Sequence, residues 1–202
     1  MVINQASKQV QLKIVYYGPA LCGKTTNLEK VHANIAAAQE KGKLVSLATQ
    51  SDRTLFFDFL PVEAMAIKGF KTKFQLYTVP GQVIYNTTRQ LVLRGVDGII
   101  FVADSQFDKM QENVESFQNL EENLKAANVN LAEVPYVLQY NKRDLPNVAP
   151  VDYMDYLLNN REVRVPAFEA CAASPKADGV FETLNAVTKL LLKKFIDQTA
   201  AR

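Results

Sequence analysis

The chain has 202 residues, of which 48% are hydrophobic and 22% are charged, and its formal net charge is +2. This length and composition are typical of one globular domain with its own core, so we expect a single domain over residues 1–202. So small a net charge, without any Lys- or Arg-rich run, excludes nucleic acid as an expected partner.

Neither end of the sequence shows a targeting or lipidation signal. Residues 1–5 lack the regions of a signal peptide, position 2 is Val and not the Gly of a myristoylation signal, and residues 199–202 form no prenylation box. No apolar run approaches the length of a membrane span. We therefore expect a cytoplasmic protein without a direct membrane anchor, and a monomer when it has no partner.

The first predicted elements are a strand over residues 8–17 and a helix from Thr25 to about Gln39. Between them, residues 18–25 match the phosphate-binding pattern Gly-x-x-x-x-Gly-Lys-Thr. Because the pattern stands between a strand and a helix, it has the context that phosphate binding requires.

Each fixed position of this phosphate loop has a physical task. Gly18 and Gly23 let the backbone turn so that its N–H groups point at an anion, and the helix that follows adds the positive end of its dipole. We expect Lys24 to contact the β- and γ-phosphates and the Thr25 hydroxyl to bind Mg²⁺. The other nucleotide-binding residues predicted in this segment are Ala20, Leu21, Cys22 and Thr26.

The two cysteines, Cys22 and Cys171, do not make a disulfide framework, and this indicates a reducing compartment. Cys22 has two interpretations. A helix N-terminus lowers thiol pKa, which would make it reactive, whereas a small, partly buried filler is the interpretation we favour.

Residues 42–58 show no clear periodicity, but the segment after them predicts a hairpin. Residues 62–67 and 70–79 flank Lys68-Gly69, and the second arm ends at Pro80-Gly81-Gln82. We expect this hairpin to supply one antiparallel edge strand.

The second half of the sequence alternates between strands and helices. The predicted strands are 99–104, 134–140 and 167–171, and the predicted helices are 110–124, 151–158 and 180–195. This alternation predicts an α/β fold with a single doubly wound, mainly parallel sheet, which binds its ligand at the carboxyl ends of the strands.

A second motif, Asn141-Lys142-Arg143-Asp144, directly follows one of the buried strands. A carboxylate at Asp144 can accept hydrogen bonds from N1–H and N2–H of guanine, and adenine offers no such donor pair. We expect Asn141 to brace the loop and the aliphatic part of Lys142 to lie along the base. The motif therefore favours a guanine nucleotide.

With these motifs, the chain resembles a Ras-superfamily small GTPase, and more closely the bacterial gliding-motility and cell-polarity GTPases of the MglA family. The resemblance covers about residues 8–196, is weakest over 160–178, and is carried by residues 16–28, 52–61, 76–82 and 141–146. It implies a molecular switch that binds GTP and GDP with Mg²⁺ and hydrolyses GTP slowly without an activating protein.

The resemblance also implies roles for residues of the two switch segments. Gly81 would donate its N–H to the γ-phosphate, and Gln82 would orient the attacking water. Arg53 would act as an arginine finger supplied in cis, and Thr54, with Thr49 as competitor, would bind Mg²⁺.

Two positions depart from the pattern of small GTPases. Ras-like proteins carry Asp three residues before the glycine of the second switch, whereas this chain has Thr78, so Asp52 or Asp58 is a candidate replacement. The base-stacking loop, usually Ser-Ala-Lys, lacks its lysine here, although the Ala172 N–H remains a candidate donor to guanine O6.

The implied partners are a Roadblock-type activating protein and polarity effectors, which would recruit the chain to a cell pole. Two other classes of function share the phosphate loop. A P-loop kinase would need an arginine-rich lid, which the sequence lacks. A non-hydrolysing GTP-binding module is disfavoured because Gln82 and Arg53 are both present.

Overall fold

A computed structural model describes residues 1–34, 45–48, 54–67 and 69–200. The strands are β1 Val2–Asn4, β2 Gln9–Tyr17, β3 Val45–Ala48, β4 Thr54–Ile67, β5 Phe70–Thr78, β6 Gly98–Asp104, β7 Tyr136–Asn141 and β8 Ala167–Glu169. The α-helices are α1 Lys24–Asn34, α2 Asn86–Leu93, α3 Met110–Ala126, α4 Val151–Leu158 and α5 Val180–Ala200.

The strands described form one sheet in the order β3-β4-β5-β2-β6-β7-β8, and β1 pairs with the start of β2. From β5 to β8 all neighbouring strands are parallel. Every residue of β6 and β7 is buried, as expected for parallel strands that are covered on both faces. The predicted mainly parallel, doubly wound sheet is confirmed.

The antiparallel part of the sheet lies on one flank. The predicted hairpin is present, because β4 pairs with β5 in antiparallel register, for example Glu63 with Lys73. Strand β4 begins earlier than predicted, within the segment that shows no periodicity, and β3 pairs beyond it. The flank is therefore one strand wider than the sequence indicates, and β1 adds a further antiparallel pairing at the start of β2.

The alternation of side chains along β6 divides the core into two layers. Ile99, Phe101 and Ala103 pack in the layer that α3 covers, whereas Ile100 and Val102 pack in the layer under α1 and α5. Both layers consist of buried apolar side chains, so helices on each face keep the sheet away from water.

The predicted elements otherwise agree with the structure to within a few residues. Helix α1 is described as far as Asn34, and its predicted continuation lies outside the described residues. Helix α2 was not predicted from the sequence. Its buried residues are Val92, Leu93 and an arginine, Arg89, so the apolar periodicity that would reveal a helix is interrupted.

Gly98 allows α5 to pack directly against the start of β6. A Cβ placed on it would lie 3.0 Å from Leu191 Cδ1 and 3.1 Å from Val187 Cγ2. We expect Gly98→Val to lower the free energy of unfolding by about 1–3 kcal/mol, because the added methyl groups overpack this contact. Urea denaturation measures the change. Gly98→Ala is the matched control and should cost less, and equal stability of the Val variant and the wild type would contradict the prediction.

Candidate functional site

The phosphate loop connects β2 to α1 at the carboxyl edge of the sheet. Gly18, Leu21 and Gly23 all have positive φ, at 147°, 60° and 101°. A Cβ on Gly18 would lie 2.1 Å from the Val102 carbonyl oxygen, and one on Gly23 would lie 2.3 Å from Asn141 Nδ2. The loop therefore lies directly on the ends of β6 and β7, and only glycine fits at these two contacts.

The Lys24 ammonium is held inside this loop. Its side chain is buried, and Nζ donates hydrogen bonds to the carbonyl oxygens of Gly18, at 3.1 Å, and Pro19, at 2.6 Å. Nζ also lies 3.7 Å from Cys22 Sγ. The positive charge is thus already positioned where the loop would hold phosphate.

Asn141 connects the phosphate loop to the loop that follows β8. Its Nδ2 donates to the Cys22 carbonyl oxygen at 2.8 Å, and its Oδ1 accepts from the Ala172 N–H at 3.0 Å. The side chain is 2% exposed. Asn141 thus holds three loops together, in agreement with the bracing role expected from the sequence.

Lys142 has positive φ, and its ammonium pairs with a carboxylate that the sequence analysis did not select. Its Nζ lies 2.6 Å from Oδ2 of Asp104, the last residue of β6, while Oδ1 accepts the Gln106 N–H at 3.1 Å. Asp104 is buried, so this pair fixes the direction of the Lys142 side chain. The sequence does contain a signal that could have selected Asp104, because this carboxylate ends an apolar strand at the edge of the sheet where ligands bind.

A cavity of about 220 Å³ opens between these loops. Gly23 lines it from the phosphate loop, Thr26 from the first turn of α1, Lys142 and Asp144 from the loop after β7, and Ala172 from the loop after β8. The fold therefore brings the two sequence motifs to the walls of one cavity, although they are more than a hundred residues apart.

The second predicted switch lies against the phosphate loop. A Cβ on Gly81 would be 2.3 Å from Ala20 Cα and 2.7 Å from the Pro19 carbonyl oxygen, so the two backbones are in direct contact. Gln82 follows in an extended conformation, with φ −81° and ψ 133°. Gly81 and Gln82 therefore lie at the phosphate end of the site.

The residues predicted for the first switch are only partly described. Thr54 begins β4, five positions before Phe59, which pairs with Tyr77 near the end of β5. The backbone of Thr54 thus extends past the carboxyl end of β5, on the edge that carries the phosphate loop. Arg53, Thr49 and Asp52 lie outside the described residues.

Thr78, the residue that replaces the usual acid, is fully buried at the end of β5, in register with Tyr16. The candidate replacement Asp58 lies within β4, where its backbone pairs with Ser46 of β3. Strand β5 therefore separates Asp58 from β2 and its phosphate loop.

Both thiols are buried, and their pKa values are raised. Burial raises the pKa of Cys22 and outweighs the opposing effect of the Lys24 ammonium. Burial also raises the pKa of Cys171, and a hydrogen bond to the Asp144 carboxylate adds to this effect. Cys22 is therefore buried, as expected for a small filler, and the net shift of its pKa is upward.

This burial predicts slow thiol chemistry. Since a raised pKa reduces the thiolate fraction, we expect iodoacetamide to label both cysteines in native protein far more slowly than in unfolded protein at pH 7.5. The native rate should rise only as the pH passes above the ordinary thiol range. Mass spectrometry of the labelled peptides measures it, and rapid native labelling of Cys22 near neutrality would contradict the prediction.

Comparison with known proteins assigns the class. The family model described as "ADP-ribosylation factor family" (Arf) matches residues 1–191, and the chain belongs to this family of small GTPases. The chain is also 56% identical over 190 residues to the "Mutual gliding-motility protein MglA" of Myxococcus xanthus, with 94% of this chain and 95% of the relative covered. A more distant relative, "Uncharacterized protein MJ1339" of Methanocaldococcus jannaschii, is 23% identical over 180 residues, which cover 89% of this chain and 97% of the relative.

The protein is therefore a small GTPase switch, which binds GTP and GDP and hydrolyses GTP. The two alternatives, a P-loop kinase and a non-hydrolysing module, are set aside by this family membership. Among the residues that the structure describes, no helix is long and apolar enough to cross a membrane.

Proposed function

We propose that this GTPase acts as a switch in gliding motility and cell polarity. The observation that carries the proposal is the 56% identity, over nearly the full length of both chains, to a protein named for gliding motility. The test is complementation. A Myxococcus xanthus strain without its own MglA should regain gliding when it expresses this chain, and a strain that expresses the folded chain but stays non-motile would contradict the proposal.

Recognition of the base is assigned to the loop after β7. The Asp144 carboxylate would accept two hydrogen bonds from guanine, and Ala172 lines the same cavity. The Ala172 N–H donates to Asn141 Oδ1, so a contact with O6 would require this N–H to be shared between the two oxygens. The pairing of Lys142 with Asp104 supports a fixed lysine stem along the base. This arrangement would give a preference for guanine over adenine, because adenine would leave the carboxylate without donors.

Replacing the base-binding carboxylate tests this role. We expect Asp144→Ala to weaken GTP and GDP binding by about 30-fold to 1000-fold, equivalent to about 2–4 kcal/mol for two charge-assisted hydrogen bonds. ATP binding should stay equally weak in both proteins. Fluorescent-nucleotide titration measures the affinities. Asp152→Ala, an exposed position on α4, is the control, and unchanged guanine affinity in Asp144→Ala would contradict the assignment.

Mg²⁺ is proposed as the cofactor, with Thr25 and Thr54 as its protein ligands. The described residues contain no group of three or more His, Cys, Asp or Glu side chains that could hold a metal. Mg²⁺ suits such a site, because it keeps several waters and relies on substrate phosphates for other ligands. Thr25 fits this role from the first turn of α1, directly beside the phosphate loop. When bound, the ion would neutralise charge on the phosphates.

Hydrolysis is assigned to Gln82, which would orient water, and Arg53, which would stabilise charge on the transferred phosphoryl group. The contact of Gly81 with Ala20 supports this assignment, because it holds the adjoining Gln82 next to the phosphate loop. Gly81 would donate its N–H to the γ-phosphate, so that the second switch senses which nucleotide is bound.

We expect Arg53→Ala and Gln82→Leu to retain GTP binding but to lose most of the stimulated hydrolysis. Loss of an arginine finger lowers the rate by roughly 10³–10⁵. Single-turnover phosphate release, with and without an activating protein, measures the effect. Arg94→Ala is a suitable control because Arg94 is exposed at the end of α2. Wild-type rates in both variants would contradict the assignment.

The proposed partners are a Roadblock-type activating protein and polarity effectors, which would bring a cytoplasmic, monomeric chain to a cell pole. Ile84 and Leu91, just after the second switch, are 80% and 52% exposed and apolar. A partner that covers these side chains would contact the segment that responds to the γ-phosphate, so its affinity would depend on the nucleotide.

A further inference from the structure

Arg89 on helix α2 is a fully buried arginine that neither sequence motif contains. Its Nε donates to the Pro80 carbonyl oxygen at 2.8 Å, and its Nη2 donates to the Gly81 carbonyl oxygen. Its Nη1 donates to Asn119 Oδ1 at 2.6 Å and reaches the Tyr17 hydroxyl at 3.4 Å. The guanidinium carbon also lies 5.2 Å from the centre of the Tyr17 ring.

The buried guanidinium of Arg89 is held by neutral hydrogen-bond acceptors. Among the described residues, the groups that accept its hydrogen bonds are two backbone carbonyls, an amide oxygen and a hydroxyl, and none is a carboxylate. Burial of a cation without a counter-ion costs several kcal/mol before its hydrogen bonds are counted. A leucine or methionine would fill the same space without this cost, so the side chain calls for an explanation beyond packing.

The two carbonyls that Arg89 binds define two peptide planes. The Pro80 carbonyl shares its peptide with the Gly81 N–H, and the Gly81 carbonyl shares its peptide with the Gln82 N–H. No described peptide bond is cis, so each N–H points away from its own carbonyl. Arg89 therefore turns the N–H groups of Gly81 and Gln82 away from itself.

The phosphate loop contacts the same segment. A Cβ on Gly81 would lie 2.6 Å from the Ala20 nitrogen, so the second switch is held between the guanidinium of Arg89 and the backbone of the loop. The contacts with Arg89 and Ala20 together restrict the rotation of both peptide planes.

A network of amide side chains anchors this arrangement. The Tyr17 hydroxyl donates to Asn119 Oδ1 at 2.7 Å and accepts from Asn123 Nδ2 at 3.0 Å. Asn119 and Asn123, one turn apart on α3, both donate to Asn86 Oδ1 at the start of α2. Tyr17 directly precedes Gly18, so the network connects α2 and α3 to the beginning of the phosphate loop.

We propose that Arg89 is a positioning residue for GTP hydrolysis, which orients the Gly81 and Gln82 peptides toward the γ-phosphate. The inference rests on the roles proposed above for Gly81 and Gln82. GDP has no γ-phosphate, so loss of Arg89 should affect hydrolysis and the preference for GTP over GDP, while GDP affinity is preserved.

The experiment compares Arg89→Met and Arg89→Lys with the exposed control Arg94→Met in the full chain. We measure the affinity for GDP, the affinity for a non-hydrolysable GTP analogue, and single-turnover hydrolysis with and without an activating protein. For Arg89→Met we expect GDP affinity within about threefold of wild type, a lower ratio of analogue to GDP affinity, and hydrolysis slower by about 10-fold to 100-fold. Arg89→Lys should recover only part of this loss, because an ammonium cannot bind two carbonyls as a planar fork does.

Asn119→Leu provides a second variant in case Arg89→Met does not fold. It keeps the arginine but removes one of its anchors, so hydrolysis and the affinity ratio should change in the same direction by a smaller factor. If the role of Arg89 is merely structural, its substitution lowers the melting temperature. The affinity ratio and the hydrolysis rate of the folded fraction then stay unchanged. That result in Arg89→Lys and Asn119→Leu would overturn the inference.

Gln82→Leu is measured in parallel to separate this inference from the proposed function. In one outcome Gln82→Leu hydrolyses GTP slowly, while the folded Arg89 variants keep the wild-type hydrolysis rate and affinity ratio. The inference about Arg89 then fails, and the role of Gln82 stands. If Gln82→Leu hydrolyses GTP normally, the role of Gln82 fails. The ratio of analogue to GDP affinity then decides the role of Arg89 alone, and a wild-type ratio overturns it.

Discussion

One buried amide group determines how the loops of the site are arranged. Asn141 accepts from the loop after β8 and donates to the phosphate loop, and it extends from the end of the strand that lies between them. Gly23 fits against it only because it has no Cβ. Since both amide atoms are used in a dry environment, loss of either bond would leave a buried polar group unpaired. Asn141 therefore both lines the cavity and connects the loops on either side of it.

The positive charges of the site are positioned by the protein itself. Lys24 is held by backbone carbonyls, Lys142 by a buried carboxylate, and Arg89 by carbonyls and amides. Of the three, only Lys24 lies in the phosphate loop, and an ammonium fixed there needs little movement when charge develops on a phosphate, which favours electrostatic stabilisation. The Lys24 carbonyl contacts are also easily exchanged, because a phosphate oxygen is a stronger acceptor for the same ammonium.

The sequence predicted those parts of the structure that depend on local rules. The phosphate loop and the motif at Asn141 have fixed spacing, and the strands before them are continuous apolar runs. Asp104 and Arg89 were missed because each acts through contacts with residues distant in sequence, and the buried arginine also hid α2 from any test of apolar periodicity. The prediction missed β3 and the first part of β4, because residues 42–58 show no alternation of apolar and polar residues. These strands are defined by their pairing with each other and with β5, which the sequence alone does not reveal. The roles of Arg53 and of the other site residues in binding and hydrolysis stay predictions.

Thr78, which replaces the acid usual in small GTPases, is the last residue of β5. The side chain at this position is fully buried and in register with the central strand of the sheet. A carboxylate there would have to be dehydrated, at a cost of several kcal/mol, or would draw the strand end out toward water. A buried hydroxyl has a much smaller desolvation cost than a carboxylate and carries no charge that needs a partner. Strand β5 can therefore stay paired with β2 as far as Thr78 without a counter-ion, whereas the buried carboxylate that ends β6 pairs with Lys142.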